Sequence, residues 1–116
     1  MLHRDRVLAN RIVSEIDIAF SMLGNTKRSV FLDNEMLKRA VCMTVINIGE
    51  LVKGISDETR AEYPQIPWKA IAGIRDITAH KYQTLRMEDV WETVKSDFPE
   101  LRSNLLQILH NDPSDE

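Results

Sequence analysis

At 116 residues the chain has room for one domain and one hydrophobic core. Hydrophobic residues make up 43% and charged residues 28%, a globular composition rather than a disordered one. A net charge of −3 argues against broad, nonspecific nucleic-acid binding, and four glycines with four prolines are too few for a many-turned β architecture.

The opening MLHRDRVLAN is interrupted by charge at once, so no secretory leader is expected. The longest apolar run, around VCMTVINI, is too short to span a bilayer. Cys42 is the single cysteine, which excludes an internal disulfide and a cysteine-based metal site. Its apolar neighbours make it a buried structural thiol. The expectation is a cytoplasmic protein with no membrane role.

In chain order, Val7, Ile12, Ile16, Ala19, Phe20 and Leu23 recur at helical spacing and predict a first helix over 5–23, stopped by Gly24-Asn25. NTKRSVF reads as a loop. Asp33 is the expected N-cap of a second long helix, LDNEMLKRAVCMTVINIGELVKGI. Its apolar stripe is Met36, Leu37, Ala40, Val41, Thr44, Val45, Ile48, Leu51 and Val52, with Gly49 allowing close packing. Ser56 opens a short third helix over 57–63, which Pro64 ends. Pro67 suits the first position of a fourth helix, PWKAIAGIRDITAHKY, with Trp68, Ile71, Ile74, Ile77 and Thr78 inward. A fifth helix begins near Met87 with Val90, Trp91 and Val94. Pro99 breaks or restarts it. Leu101, Leu105, Leu106, Ile108 and Leu109 line a last helix ending near His110. The architecture expected is all-α, an antiparallel bundle of four or five main helices. Residues 1–111 form the single domain and 112–116 a disordered tail.

Charge is uneven. From Pro67 to Arg86 four bases (Lys69, Arg75, Lys81, Arg86) face one acid, Asp76, whereas from Glu88 onward eight acids face two bases. A small anion site in an acidic protein fits this, and so does a solvated helix face. Within the basic stretch, RDITAHKY holds the candidate chemistry. Asp76 and His80 are four apart and share a helix face, where a carboxylate can orient an imidazole. Arg75 and Tyr82 are seven apart and nearly align. Arg75 and His80 lie roughly 140° apart on an ideal helix, so either the helix end distorts or a second copy of the chain completes the site. Histidine can take a proton from a ribose 2′-OH, and arginine can fork onto phosphoryl oxygens. That chemistry needs RNA and no metal. By chemistry alone, Asp76–His80 also reads as a plain surface pair. Asn47 and Glu50 could border a cleft or make an ordinary polar pair, and Trp68 and Trp91 are expected to pack rather than stack on bases.

The spacing R-x4-H-x-Y, from Arg75 through His80 to Tyr82, resembles the signature of HepT-like proteins of the HEPN superfamily. IPWKAIAGIRDITAHKY, MEDVWETVKSDFPELRSNL and INIGELVKGIS are similar to the family pattern, so the likeness runs over about 33–109. The resemblance implies a HEPN-like bundle that forms a homodimer or higher even oligomer across the motif helix. It implies a metal-independent ribonuclease toxin of a toxin–antitoxin pair, with no cofactor. Arg75 and His80 would be catalytic and Asp76 supporting. The implied partner is a MntA-like nucleotidyltransferase antitoxin that transfers AMP to Tyr82. Gln83-Thr84-Leu85-Arg86 departs from the Phe-Gly-like turn of many relatives. Two other readings stand beside the toxin: a non-catalytic helical partner of a nucleotidyltransferase, and a nucleotide-binding regulatory domain in which Arg75 holds a phosphate.

Overall fold

The structure, a computed structural model, describes residues 1–76, 82 and 84–112. The described residues form helices and turns, with no strand among them. Helix α1 runs His3–Leu23 and buries Asp5, Ala9, Ile12, Ile16, Ala19 and Leu23, alternating steps of three and four residues. Val7, expected inward, is 43% exposed; it falls off that stripe. Gly24 ends the helix at φ 49, a conformation that favours glycine, and its N–H returns to the Phe20 carbonyl.

The stretch NTKRSVF is not all loop. Helix α2, Arg28–Asp33, occupies part of it and drives the fully buried Phe31 into the core. The Phe31 ring lies 5.3 Å from that of Trp91, tilted by 42°. Asp33 therefore ends α2 and does not cap the next helix. Asn34 does: its side chain accepts from the Leu37 N–H at 3.0 Å and starts α3, Glu35–Lys53. Val41, Cys42, Thr44, Val45, Ile48, Gly49 and Val52 are buried along α3. Met36, read as part of the stripe, is 82% exposed.

Ser56 caps the short α4, Asp57–Glu62, by accepting from the Thr59 N–H. Pro67 is the residue before α5, Trp68–Ala72, rather than its first position. The long fourth helix is not continuous either. After five residues α5 tightens into a 3-10 turn, Gly73–Asp76; residues 77–81 lie outside the described set. Trp68 and Ile71 are buried, and the indole N–H donates to the Tyr63 carbonyl at 2.9 Å. The expected inward positions Ile77 and Thr78 are not described.

Helix α6, Met87–Glu92, runs through a π-helical turn, Thr93–Asp97, into α7, Phe98–Asn111. Pro99 explains the wide turn. It lacks an N–H and its ring crowds the carbonyl four residues back, so a normal α turn is disfavoured there. The Phe98 N–H instead reaches Thr93 O, five residues back, and the chain passes the proline without stopping. Leu101, Leu105 and Ile108 are buried, whereas Leu106 is 39% exposed.

Side-chain contacts fix the helix directions. Arg6 near the start of α1 donates to the Leu109 carbonyl, and Asp17 further along pairs with Arg102. Leu8 lies against Gly54 at the end of α3. Helix α1 is thus antiparallel to both α3 and α7, and α5 with its 3-10 turn packs on α3. Asp112, counted with the tail, is only 8% exposed. Its carboxylate accepts from the Met1 ammonium at 2.8 Å and from the Tyr63 hydroxyl, and Arg6 donates to its carbonyl at 2.7 Å. Residues 113–116 lie outside the described set.

Candidate active site at the motif segment

The two residues singled out for catalysis fall at the edge of what is described. Arg75 and Asp76 lie in the backbone of the 3-10 turn Gly73–Asp76, against α3. His80 lies outside the described residues, and with it the expected Asp76–His80 pair. What the structure adds is a change of helix type at the arginine. A 3-10 turn advances about 120° per residue where an α-helix advances about 100°. The 3-10 turn covers Arg75 and Asp76, and the rest of the way to His80 lies outside the described residues. The two alternatives posed by the spacing, a distorted helix end or a second copy of the chain, turn on His80 and so lie outside the described residues.

Tyr82 is described, and it is half-buried. Its hydroxyl donates to Glu35 Oε1 at 3.1 Å. The Arg39 guanidinium lies over its ring, 4.7 Å from the centroid. Glu35 also accepts from Arg39 Nε at 3.0 Å and pairs with Lys38 Nζ at 3.2 Å. Hydrogen bonds from Lys38 and Tyr82 hold the Glu35 carboxyl below the usual range. Burial, then the Glu35 bond and charge, push the Tyr82 phenol up, partly offset by Arg39. Below it, Cys42 is buried with its sulfur 3.8 Å from that of Met87, and burial pushes its thiol up to about 11. It is the inert structural thiol expected from its neighbours.

Glu35, Lys38 and Arg39 were absent from the candidate set. They lie 47 to 43 residues before Tyr82 in the chain, and an acid followed by bases three and four residues on is ordinary helix-surface patterning. No local signal marks them; only the contact of Tyr82 with the start of α3 does. Of the other basic residues expected in the patch, Lys81 lies outside the described residues, and Arg86 and Lys69 have separate surroundings. Arg86 is exposed beside Asp89 at 4.0 Å, and Lys69 lines a shallow hollow with Arg60 and Pro64. Asn47 and Glu50 are both exposed on α3. Trp68 packs as expected. Trp91 is half-buried between Phe31 and the Lys95 ammonium, 4.9 Å from its ring.

A groove of about 390 Å³ lies between α5 and the start of α7. Ile71, Ile74, Phe98 and Leu101 line it, together with Asp97 and Glu100. Two carboxylates on an apolar floor repel a phosphate backbone, so this groove does not suit RNA. Among the described residues no helix is long and apolar enough to cross a membrane, and no three His, Cys, Asp or Glu side chains group as metal ligands.

An all-helical domain with Arg75, His80 and Tyr82 spaced along the segment after α5 is the class of protein these features define. Comparison with known proteins identifies the family. The family model described as ribonuclease HepT-like matches residues 12–108. The chain belongs to this HepT-like family of the HEPN superfamily. It is 35% identical over 98 residues to a candidate RNase of Methanocaldococcus jannaschii, covering 84% of this chain and 81% of that one. It is 30% identical over 107 residues to a candidate RNase of Caldanaerobacter subterraneus subsp. tengcongensis, covering 92% and 96%. A protein of Thermococcus cleftensis named probable ribonuclease HepT is 35% identical over 78 residues, covering 67% and 71%. No solved structure gives a significant match.

Proposed function

We propose that this chain is the ribonuclease toxin of a toxin–antitoxin pair. It cleaves RNA without a metal through Arg75 and His80, and a MntA-like nucleotidyltransferase silences it by adding AMP to Tyr82. The observation that carries the reading is family membership across residues 12–108 in a chain whose Arg75, His80 and Tyr82 keep the R-x4-H-x-Y spacing.

In this reading His80 takes the proton of a ribose 2′-OH as that oxygen attacks the adjacent phosphorus. The new 2′-O–P bond forms and the P–O5′ bond breaks, leaving a 2′,3′-cyclic phosphate and a 5′-hydroxyl. The departing 5′-oxygen collects a proton from a second histidine or from water. Arg75 stabilises the charge that builds on the phosphoryl oxygens. Asp76 supports the histidine. A two-fold homodimer supplies two such pairs to one cleft. The outer face of α3 supports that assembly. Met36 is 82% exposed and Met43, seven residues on, 58%. Seven residues is two turns, so both lie on one outward face of α3. Two bare methionines on one helix face suit a second copy of the chain.

Tyr82 fits its role electrostatically. AMP on its oxygen brings negative charge and bulk next to the segment that carries Arg75 and His80, and the phosphate competes with RNA.

The test is direct. Purified chain is incubated with RNA in excess chelator and the product ends are identified. Cyclic phosphate ends that disappear in His80→Ala support the reading. Uncut RNA with wild type, together with measurable nucleotide affinity, favours the regulatory-domain alternative.

A further inference from the structure

The Tyr82 hydroxyl already has a partner, and that partner is held by cations. Glu35 takes the phenol O–H and the Arg39 Nε–H on the same oxygen, at 3.1 and 3.0 Å, while Lys38 lies 3.2 Å from its other oxygen. Arg39 also covers the face of the Tyr82 ring. All three side chains come from the start of α3, a 19-residue helix capped by Asn34 and seated in the core by Val41 and Val45. A fixed element therefore aims the phenol oxygen, and a neighbouring base is aimed back at it.

We propose that Glu35 is the positioning residue and proton acceptor for nucleotidyl transfer to Tyr82, with Lys38 and Arg39 holding the phosphate that results. The proposal rests on the reading of Tyr82 as the modified residue. In the step, Tyr82 Oη attacks the α-phosphorus of ATP carried by the nucleotidyltransferase. The Oη–P bond forms and the bond from that phosphorus to the β-phosphate oxygen breaks. Pyrophosphate leaves, and the phenol proton passes to Glu35 Oε1 and then to water. An acceptor in place matters because a phenol, whose pKa is ordinarily about 10, is protonated at neutral pH, and burial with the Glu35 bond and charge pushes it further up. The carboxylate is the weaker base, so the proton moves only as the forming O–P bond acidifies the oxygen. Among the described residues, the charged or titratable groups facing the phenol are Glu35, Arg39 and the neutral Cys42 thiol. Once the phosphodiester is made, two anions share one place, and Lys38 and Arg39 turn from Glu35 to the phosphate.

The experiment follows adenylylation of the full chain by a MntA-like nucleotidyltransferase with ATP, using mass spectrometry, for wild type, Glu35→Gln, Glu35→Asp and Tyr82→Phe. Glu35→Gln keeps an oxygen acceptor and loses the base. Its kcat is expected to fall about 100-fold with KM unchanged. Its rate should climb about tenfold per pH unit above neutrality as phenolate forms unaided, while wild type changes little. Glu35→Asp should recover part of the loss. Equal unfolding midpoints for the variants exclude a structural cause. If wild type gains AMP on Tyr82 and Glu35→Gln does so at the same kcat with the same pH profile, the role of Glu35 is overturned and the reading of Tyr82 survives. If wild type gains no AMP on Tyr82, both fall.

Discussion

Asp5 and Ser56 are 51 residues apart in the chain, yet the Ser56 backbone N–H donates to the Asp5 carboxylate at 3.0 Å. The Ser56 hydroxyl donates to the same carboxylate at 2.5 Å and the Thr59 hydroxyl at 2.6 Å. One buried acid thus ties the start of α1 to the start of α4 through hydroxyl and backbone donors.

Removing that acid strands three donors. Asp5→Ala is expected to cost about 3 kcal/mol in urea unfolding, and Asp5→Asn less. The pH dependence has a definite sign. Burial pushes the Asp5 carboxyl up, but the Ser56 and Thr59 bonds outweigh it and the folded value is lowered. A lowered acid contributes stability above its unfolded value, near 3.8, and loses it as pH falls through the folded value. Wild type should therefore lose stability more steeply below about pH 4 than Asp5→Asn does.

The cap of α3 separates two neighbouring residues. Asn34→Ala is expected to destabilise by about 1 kcal/mol, because the Leu37 N–H loses its acceptor. Asp33→Ala, at an exposed position at the end of α2, should change the midpoint by less than about 0.5 kcal/mol. Chemical denaturation of the two variants checks both.

Gly73 marks the change from α5 to the 3-10 turn. A Cβ there meets no atom within 4 Å, and its φ of −65 suits any residue. Gly73→Ala should stabilise by about 0.5–1 kcal/mol through the unfolded chain. It also favours continued α geometry, which rotates Arg75 away from its 3-10 position. Slower RNA cleavage by a more stable protein is the expected pair of results, read by thermal unfolding and an RNA assay.

Charge on the bare face of α3 tests the assembly. Met43→Glu replaces a side chain that is 58% exposed in the single chain, so folding should survive. Sedimentation is expected to shift toward the monomer, with RNA cleavage falling at least tenfold because the composite cleft is lost.

Much of the fold was legible because its signals are local. The stripe from Ile12 to Leu23, Ser56 opening α4, and Trp68 and Ile71 turned inward all follow from spacing and caps. The misreadings have tertiary or competing causes. Asp33 and Asn34 are both good caps, and Phe31 decides between them by anchoring a short helix in what otherwise reads as loop. Met36 falls one residue off the stripe that Leu37, Val41, Val45, Ile48 and Val52 turn to the core, so it faces outward with Met43. Pro99 signals a break, and a π turn absorbs it. At the site, the motif names Arg75, His80 and Tyr82, whereas Glu35 and Arg39 are reached only through the fold.

The measurement closest to the central claim is paired expression in bacteria: wild type against His80→Ala, each alone and with a MntA-like nucleotidyltransferase. The account predicts that wild type alone arrests growth and degrades RNA. The nucleotidyltransferase should relieve this while Tyr82 gains AMP, and the equally expressed His80→Ala should be harmless throughout. Wild type and His80→Ala behaving alike, both toxic or both inert, would contradict it. Tyr82 would then stand as the acceptor on a helical partner that cuts nothing.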